Sequence, residues 1–219
     1  MCGRFINLSK NSNLKKIFNS DSILTKNLFS YNISPSQNSY IVYKKNSINI
    51  EEAKWGYSFI DKKINLKKNV INSRIETIKE KLLFQDSYLK RKCLIPLNGY
   101  YEWKIINGNR IPFFIHIPPS DPMYMAGIWK YIDFKKNDKK VFTIITKNSN
   151  EILSKVHNRM PIILSLEEGN DYINDEKSSF LNTNFFSKIE DELDFYQVSK
   201  FVNNPLNNSK ECIKECTQI

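Results

Sequence analysis

The stretch Met1-Cys2-Gly3-Arg4-Phe5 holds the most reactive combination in the chain. A start methionine ahead of a small residue is a substrate for methionine aminopeptidase, so Met1 is expected to be removed and Cys2 to carry the free α-amine. A 1,2-aminothiol results. An α-amine has a reference pKa of about 7.7–8.0, so much of it is unprotonated and nucleophilic near neutral pH. A thiol, at about 8.5, attacks as its thiolate. The amine condenses with an aldehyde to a Schiff base, and the neighbouring thiol then closes on the imine carbon to give a five-membered thiazolidine. Gly3 lets another backbone or a ligand approach closely. Arg4 places a phosphate-type donor two residues from the nucleophile. The plain alternative is a start Met followed by an ordinary Cys.

Four further clusters carry groups of the same kind. In Asn72-Ser-Arg74-Ile-Glu76-Thr77 the polar residues alternate, so an extended chain puts Asn72, Arg74 and Glu76 on one side. Asn can hold an imine or a sugar oxygen, and Arg grips a phosphate bidentately. The competing reading is a solvated strand edge, with Glu76 and Thr77 near the start of a helix. In Asn98-Gly99-Tyr100-Tyr101-Glu102-Trp103 a strand puts Glu102 and Trp103 on opposite faces. A carboxylate near a sheet centre tends to be protonated or paired, which suits a general acid–base; a surface Glu and a core Trp are the alternatives. His157-Asn158-Arg159-Met160-Pro161 follows, where His157 sits at a helix end before a strand and can shuttle protons near neutral pH. His116, in an apolar run, reads as structural. At Trp55-Gly56 an aromatic beside a glycine can stack a base, or be core.

Elements of both kinds must position these groups. A short helix is expected at 9–19, with Leu14, Ile17 and Phe18 on one side. The stretch 31–37 (YNISPSQ) reads as a loop, 39–45 and 48–58 as strands, and Lys62–Lys68 as a polar connection. From 70 the chain leads into a helical stretch through about Tyr88. Strands are expected near 93–96, 100–106, 111–117, 123–131 and 141–146, with Asn107-Gly108 as a hairpin turn. Asn148 would cap a helix ending near His157. A strand at 160–165, helices within 167–190 and a last strand at 194–199 complete the pattern. The fold class expected is α+β: a single domain with a mostly antiparallel, barrel-like sheet core and flanking helices. The domain would span 1–204, with 205–219 a polar C-terminal tail.

Composition bounds the partners. At 219 residues and 41% hydrophobic the chain can bury a real core. A net charge of +10 favours a polyanion, nucleic acid first and an anionic membrane surface second. Only Arg4, Arg74, Arg91, Arg110 and Arg159 are arginines among 33 basic residues, so each of them is a better pointer to a geometric job than any lysine. No run of 18 apolar residues could span a membrane. Four cysteines without a secretory segment suit a reducing cytosol. Cys93 reads as core, and Cys212-x3-Cys216 lacks the histidine pair of a zinc site. No metal and no cofactor are expected, and a monomer is the default.

Taken in order, MCGRF at 1–5, YNISPSQ at 31–37, WGY at 55–57, NSRIET at 72–77, CLIP-x-x-GYYEW at 93–103, FTIITKNSN at 142–150 and HNRMPIIL at 157–164 resemble the SRAP (SOS response-associated peptidase) family. The likeness runs from residue 1 to about 204, closing on Val198-Ser and Val202-Asn203. It implies a protein that senses abasic sites in single-stranded DNA and forms a thiazolidine cross-link through Cys2. It implies Asn72, Glu102 and His157 as the other catalytic residues: Asn72 orienting the sugar, Glu102 as acid–base, His157 moving protons. Arg4 and Arg74 look like phosphate clamps, with Gly3, Pro35, Trp55, Trp103 and Arg159 along the DNA. Strand-cleaving lyase and autopeptidase activities are implied companions, and the location implied is cytoplasmic, at the nucleoid when on DNA. One departure stands out: family members often follow WG with Pro and a second Trp, whereas Tyr57 to Lys63 has neither, leaving Phe59 as a substitute. Two alternatives belong to other classes. One is an N-terminal-cysteine amidohydrolase or glutaminase, for which Asn98-Gly99 could serve an oxyanion, although no Arg-Gly-Pro-Asp type of loop is present. The other is a non-covalent single-stranded-DNA-binding module, which would need the basic surface and aromatics but not Cys2, Glu102 and His157.

Overall fold

In the computed structural model, residues 2–61, 66–118, 122–132, 139–175 and 180–216 are described. In chain order they form β1 (Arg4–Asn7), α1 (Asn11–Ile17), β2 (Ser30–Ile33), β3 (Asn38–Lys44), β4 (Ile48–Trp55), β5 (Tyr57–Asp61), β6 (Leu66–Val70) and β7 (Asn72–Arg74). There follow α2 (Leu82–Lys90), β8 (Lys92–Leu97), β9 (Gly99–Ile106), β10 (Asn109–His116), β11 (Met123–Tyr131), β12 (Lys140–Asn148) and α3 (Glu151–Ser154). The chain closes with β13 (Arg159–Pro161), β14 (Ile163–Leu164), α4 (Leu166–Asn174) and β15 (Asp194–Gln197).

β12 pairs with β4, β4 with β3, β3 with β8, β8 with β11, and β11 again with β12, so five strands close into a ring. Closure leaves no bare edge among them. Strand residues of alternating phase fill two cores. Ile41, Tyr43, Trp55, Ile95, Met125 and Phe142 form one cluster, and Val42, Ile50, Leu94, Ala126 and Ile145 form another with Leu14, Phe84 and Tyr172 of the helices. The two clusters lie on opposite faces of the ring, the second under α1, α2 and α4. A second sheet, in the order β15-β10-β9-β1-β2, adds Phe5, Ile33, Tyr100 and Ile115 to the first cluster. The fold is a single α+β domain, mostly antiparallel; the parallel pairings are β12 with β4 and with β7.

Several local expectations change. Within 31–37, Tyr31 to Ile33 belong to β2 because they pair with β1, leaving Ser34 to Gln37 as the loop. Residues 48–58 break at Gly56, whose φ of +118° no side chain tolerates well, so the chain turns there from β4 into β5. Of the expected connection at 62–68, residues 62–65 lie outside the described part and Leu66 to Lys68 pair with β5. Asn72–Arg74 is a strand on β12, turns occupy 75–80, and the helix begins only at Leu82. Asn150, not Asn148, caps α3, accepting from Leu153 N at 2.9 Å, because Arg159 holds the Asn148 side chain. The helix ends at Ser154, short of His157. In α1, Ile17 is 37% exposed while Leu14 is buried. The Asn107-Gly108 turn holds as read, with φ of 49° and 76°.

Residues 205–216 pack against the domain. Cys212 is fully buried, Val198 bridges Glu215, and Asn32 Nδ2 donates to Asn207 O at 2.7 Å. The stretch reads as a polar tail because its apolar residues are few and without a helix or strand period, and Leu206 among them is exposed while Cys212 and Ile213 share one 3₁₀ turn.

A buried ion pair braces the far side of β12. Lys147 Nζ donates to both Glu190 oxygens at 2.6 and 2.7 Å, and Glu190 is wholly enclosed. Replacing Glu190 by Ala strands a buried ammonium, so Glu190→Ala is expected to cost roughly 3–5 kcal/mol in urea unfolding, more than Lys147→Met combined with Glu190→Leu.

Candidate active site

Antiparallel pairing of β1 with β9, Arg4 opposite Tyr101 and Phe5 opposite Tyr100, carries the chain ahead of β1 toward Glu102. Cys2 is fully buried, within the first of the two clusters. Burial pushes its thiol well above the ordinary value, and the nearby Glu102 charge raises it further. The thiol is thereby held protonated at neutral pH. Glu102 is 5% exposed and Trp103 half-buried on the opposite face, as strand alternation requires.

β7 is a three-residue strand laid parallel to β12, with Asn72 opposite Ile144. Asn72 Nδ2 donates to Cys2 O at 2.8 Å, and its buried Oδ1 has no partner among the described residues. An acceptor is thus held ready beside the nucleophile. Arg74, two residues on, is exposed. Glu76 turns away to bind Arg159.

His157 follows α3 and is half-buried. Its Nδ1 faces the Arg159 backbone, 2.9 Å from the Arg159 N and 3.2 Å from the Arg159 O. The structure therefore gathers Cys2, Asn72 and Glu102 and places His157 on a loop fastened to β12.

Three of the residues expected along the DNA make contacts within the protein. Trp55 is fully buried, with Phe5 edge-on at 5.1 Å, Phe142 stacked at 6.3 Å, and its Nε1 donating to Ile71 O at 3.0 Å. It is core, since β4 points it inward. Arg159 is 9% exposed, and its guanidinium donates to both Glu76 oxygens at 2.5 and 3.0 Å, to Asn148 Oδ1 and Thr146 O at 2.8 Å each. Arg4 donates to Asn32 Oδ1 at 2.7 Å, Val202 O at 2.9 Å and Asn203 O at 3.4 Å, with its guanidinium 6.0 Å from the Trp103 ring centre. Pro35 and Gly3 are half-buried. Phe59, the substitute for the missing aromatic, is half-buried on β5, and residues 62 and 63 of that stretch lie outside the described part.

Sequence reading missed Asn32, whose Nδ2 also donates to Val202 O and Asn204 O, at 3.2 and 3.0 Å. Its partners lie some 170 residues away, which no local pattern signals. Trp103 Nε1 likewise donates to Asn203 Oδ1 at 2.8 Å. Among the described residues no cluster of His, Cys, Asp and Glu could hold a metal ion, and no helix is long and apolar enough to cross a membrane.

A closed barrel and a second sheet thus bring a buried cysteine, a glutamate and an asparagine together at the head of β1. The chain belongs to the SOS response associated peptidase (SRAP) family, matching it over residues 1–205. It is 34% identical to the abasic site processing protein YoqW of Bacillus subtilis, across 98% of this chain and 99% of that protein. It is 30% identical to the abasic site processing protein YMR114C of Saccharomyces cerevisiae, across 87% of this chain and 54% of that one. A solved protein of Bacteroides thetaiotaomicron shares the fold, with a TM-score of 0.80 at 21% identity over 99% of this chain and all of that one.

Hydrogen bonds from Arg159 hold the Glu76 carboxyl below the usual carboxylate range. A carboxylate lowered in the folded state adds stability that is full above its unfolded pKa, about 4.3, and lost as pH falls through the folded value. Urea midpoints measured from roughly pH 6 down to pH 3 should fall more steeply for the native sequence than for Glu76→Gln.

Proposed function

We propose that this protein recognises abasic sites in single-stranded DNA and joins itself to them covalently, through a thiazolidine formed by Cys2 after Met1 is removed. One observation carries the reading: Asn72 is bonded to the Cys2 carbonyl while the Glu102 charge lies close enough to raise the Cys2 thiol. The names of the relatives point to the same substrate.

The chemistry follows from these groups. The ring-opened abasic sugar presents an aldehyde, and the Cys2 α-amine adds to its carbon. Loss of water gives the imine. The Cys2 sulfur then bonds to the imine carbon, its proton passes to the imine nitrogen, and the ring closes with water as the one product released. A buried, protonated thiol makes amine addition the first step, and Glu102 is the base placed to take the sulfur's proton. The orphaned Asn72 Oδ1 accepts from the amine or a sugar hydroxyl. His157 relays protons in imine formation and reversal. The same imine acidifies the adjacent carbon, so β-elimination with strand cleavage is a companion activity. Self-removal of Met1 would be the peptidase activity.

The DNA path runs over exposed Arg74, the Pro35 loop, Gly3 and Trp103. Arg4 acts from behind, by fixing Trp103 and β1. No membrane partner is invoked, and the protein works as a monomer in the cytoplasm, at the nucleoid when on DNA.

A denaturing gel of the Met-processed protein with single-stranded DNA bearing one abasic site should show a slow band, absent with undamaged DNA and with Cys2→Ala. An uncleaved tag ahead of Cys2 should abolish the band while leaving binding intact; full cross-linking by tagged protein would sink the mechanism. If no band forms with Cys2 confirmed as N-terminal, glutamine hydrolysis becomes the assay of choice. Binding to undamaged strands should weaken with salt, with a log–log slope of about −0.7 per phosphate neutralised, and Arg74→Ala should lower that slope by about one such step.

A further inference from the structure

Beside the Ser34–Gln37 loop lies an open hollow of about 310 Å³, lined among others by Asn27, Phe29, Ile33, Ser36, Gln37 and Asn38. None of its lining residues is charged, in a chain of net charge +10. Phe29 is 39% exposed, and its ring stands edge-on to that of Tyr31 at 5.4 Å. A contact of that kind occupies at most one face of a ring, which leaves the other free for stacking. The backbone carrying the ring is fixed on both sides: Phe29 N donates to Asn27 Oδ1 at 3.1 Å, and Tyr31 N to Asn208 Oδ1 at 2.7 Å. The loop that completes the hollow is fixed too. Ser36 takes a φ of +73°, uncommon outside glycine. Its N–H donates to Trp55 O at 2.9 Å, and its Oγ accepts from Asn69 Nδ2 at 3.3 Å. Gln37 Oε1 accepts from Ser34 N at 2.8 Å, and Asn38 Nδ2 donates to Glu52. Gln37 therefore keeps its NH₂, and Asn38 its side-chain oxygen, for a further partner. At Ser36 and Asn38 the hollow runs into a larger one of about 740 Å³, whose lining includes the exposed Lys54 and Lys139.

We propose that the hollow is a base subsite, in which the nucleobase of a nucleotide flanking the abasic site stacks on Phe29. The proposal rests on the abasic-site reading for the strand that occupies it. A lesion without a base offers nothing to stack, so the grip on bases has to come from its neighbours. An uncharged aromatic dish gains little from a phosphate and much from the flat face of a base, and every base has one. Spare amide donors and acceptors suit base edges, which present both. With the Phe29 backbone already fixed, binding loses little conformational freedom there. The neighbouring lysines give the phosphates of the same strand a place to lie.

The test uses the full Met-processed chain and single strands carrying a tetrahydrofuran spacer, which has no aldehyde and so reports non-covalent binding. A second spacer then replaces the base at each flanking position in turn. Phe29→Ala should weaken binding to the single-spacer strand about tenfold, within the range for one stacked base. At one flanking position, removing the base should weaken the native protein by a like factor, and Phe29→Ala should then add nothing. The salt slope should be the same for both proteins, because no phosphate contact is lost. Phe29→Trp should keep the native affinity and the coupling. Phe29→Leu, which leaves an apolar side chain against Tyr31 without a ring, should behave as Phe29→Ala and carries the comparison if Phe29→Ala does not fold. Affinity within about twofold of native in Phe29→Ala and Phe29→Leu would overturn the proposal. So would losses that simply add to base removal at every position, or a shallower salt slope, the mark of a phosphate contact. Cross-linking to a true abasic site is scored separately. Coupling without a cross-link removes the abasic-site reading and keeps the subsite; a cross-link without coupling removes the subsite alone.

Discussion

A nucleophile at the head of a strand has little chain ahead of it to hold it in place, and the architecture answers that constraint. β1 is paired on both edges, by β2 and by β9, so its register is fixed twice. Arg4 ties it to the carbonyls of Val202 and Asn203, and Asn32 gathers the same segment from β2. Asn72 then takes the Cys2 carbonyl from a third direction. Each tie comes from a different part of the chain, so the barrel, the second sheet and the C-terminal segment must all be in place before Cys2 is. Preorganisation of the nucleophile and completion of the fold are one event here.

Burial sets the order of the chemistry. A thiolate exposed at the surface would be the first nucleophile and would invite oxidation. Enclosed in an apolar cluster beside a carboxylate, the Cys2 thiol stays protonated. The strand pairing that brings Glu102 near, Phe5 opposite Tyr100, is also the pairing that buries the sulfur.

Local pattern carried the fold further than the site. The Asn107-Gly108 hairpin, the strands around it and the opposite faces of Glu102 and Trp103 follow from period-two alternation and turn chemistry, which act over a few residues. Even the ordered motifs of the family likeness are runs of neighbours. What stayed hidden depends on pairing at long range. Trp55 beside Gly56 reads equally as a stacking face or as core until the parallel pairing of β4 with β12 turns it inward. The 3₁₀ turn at 210–213 reads as tail because nothing near it shows that Asn32 and Tyr196 will hold its flanks. Arg159 reads only as a DNA contact because its carboxylate partner lies in another motif.

The arginines resolve the question of charge. In a chain so rich in lysine, Arg4 and Arg159 each spend several donors on carbonyl, amide or carboxylate oxygens, and Arg91 does the same with Trp129 O at 3.2 Å and Ser87 Oγ at 3.3 Å. A planar five-donor fork is suited to such multi-oxygen joints in a way that an ammonium is not. The geometric work expected of arginine is real, and in these three it is directed inward. The field of the +10 net charge is then left to lysines on exposed faces and to Arg74 and Arg110. Diffuse, strongly hydrated charge attracts a phosphate backbone without fixing a register. Charge of that kind supplies attraction, and any discrimination among strands has to come from elsewhere in the structure.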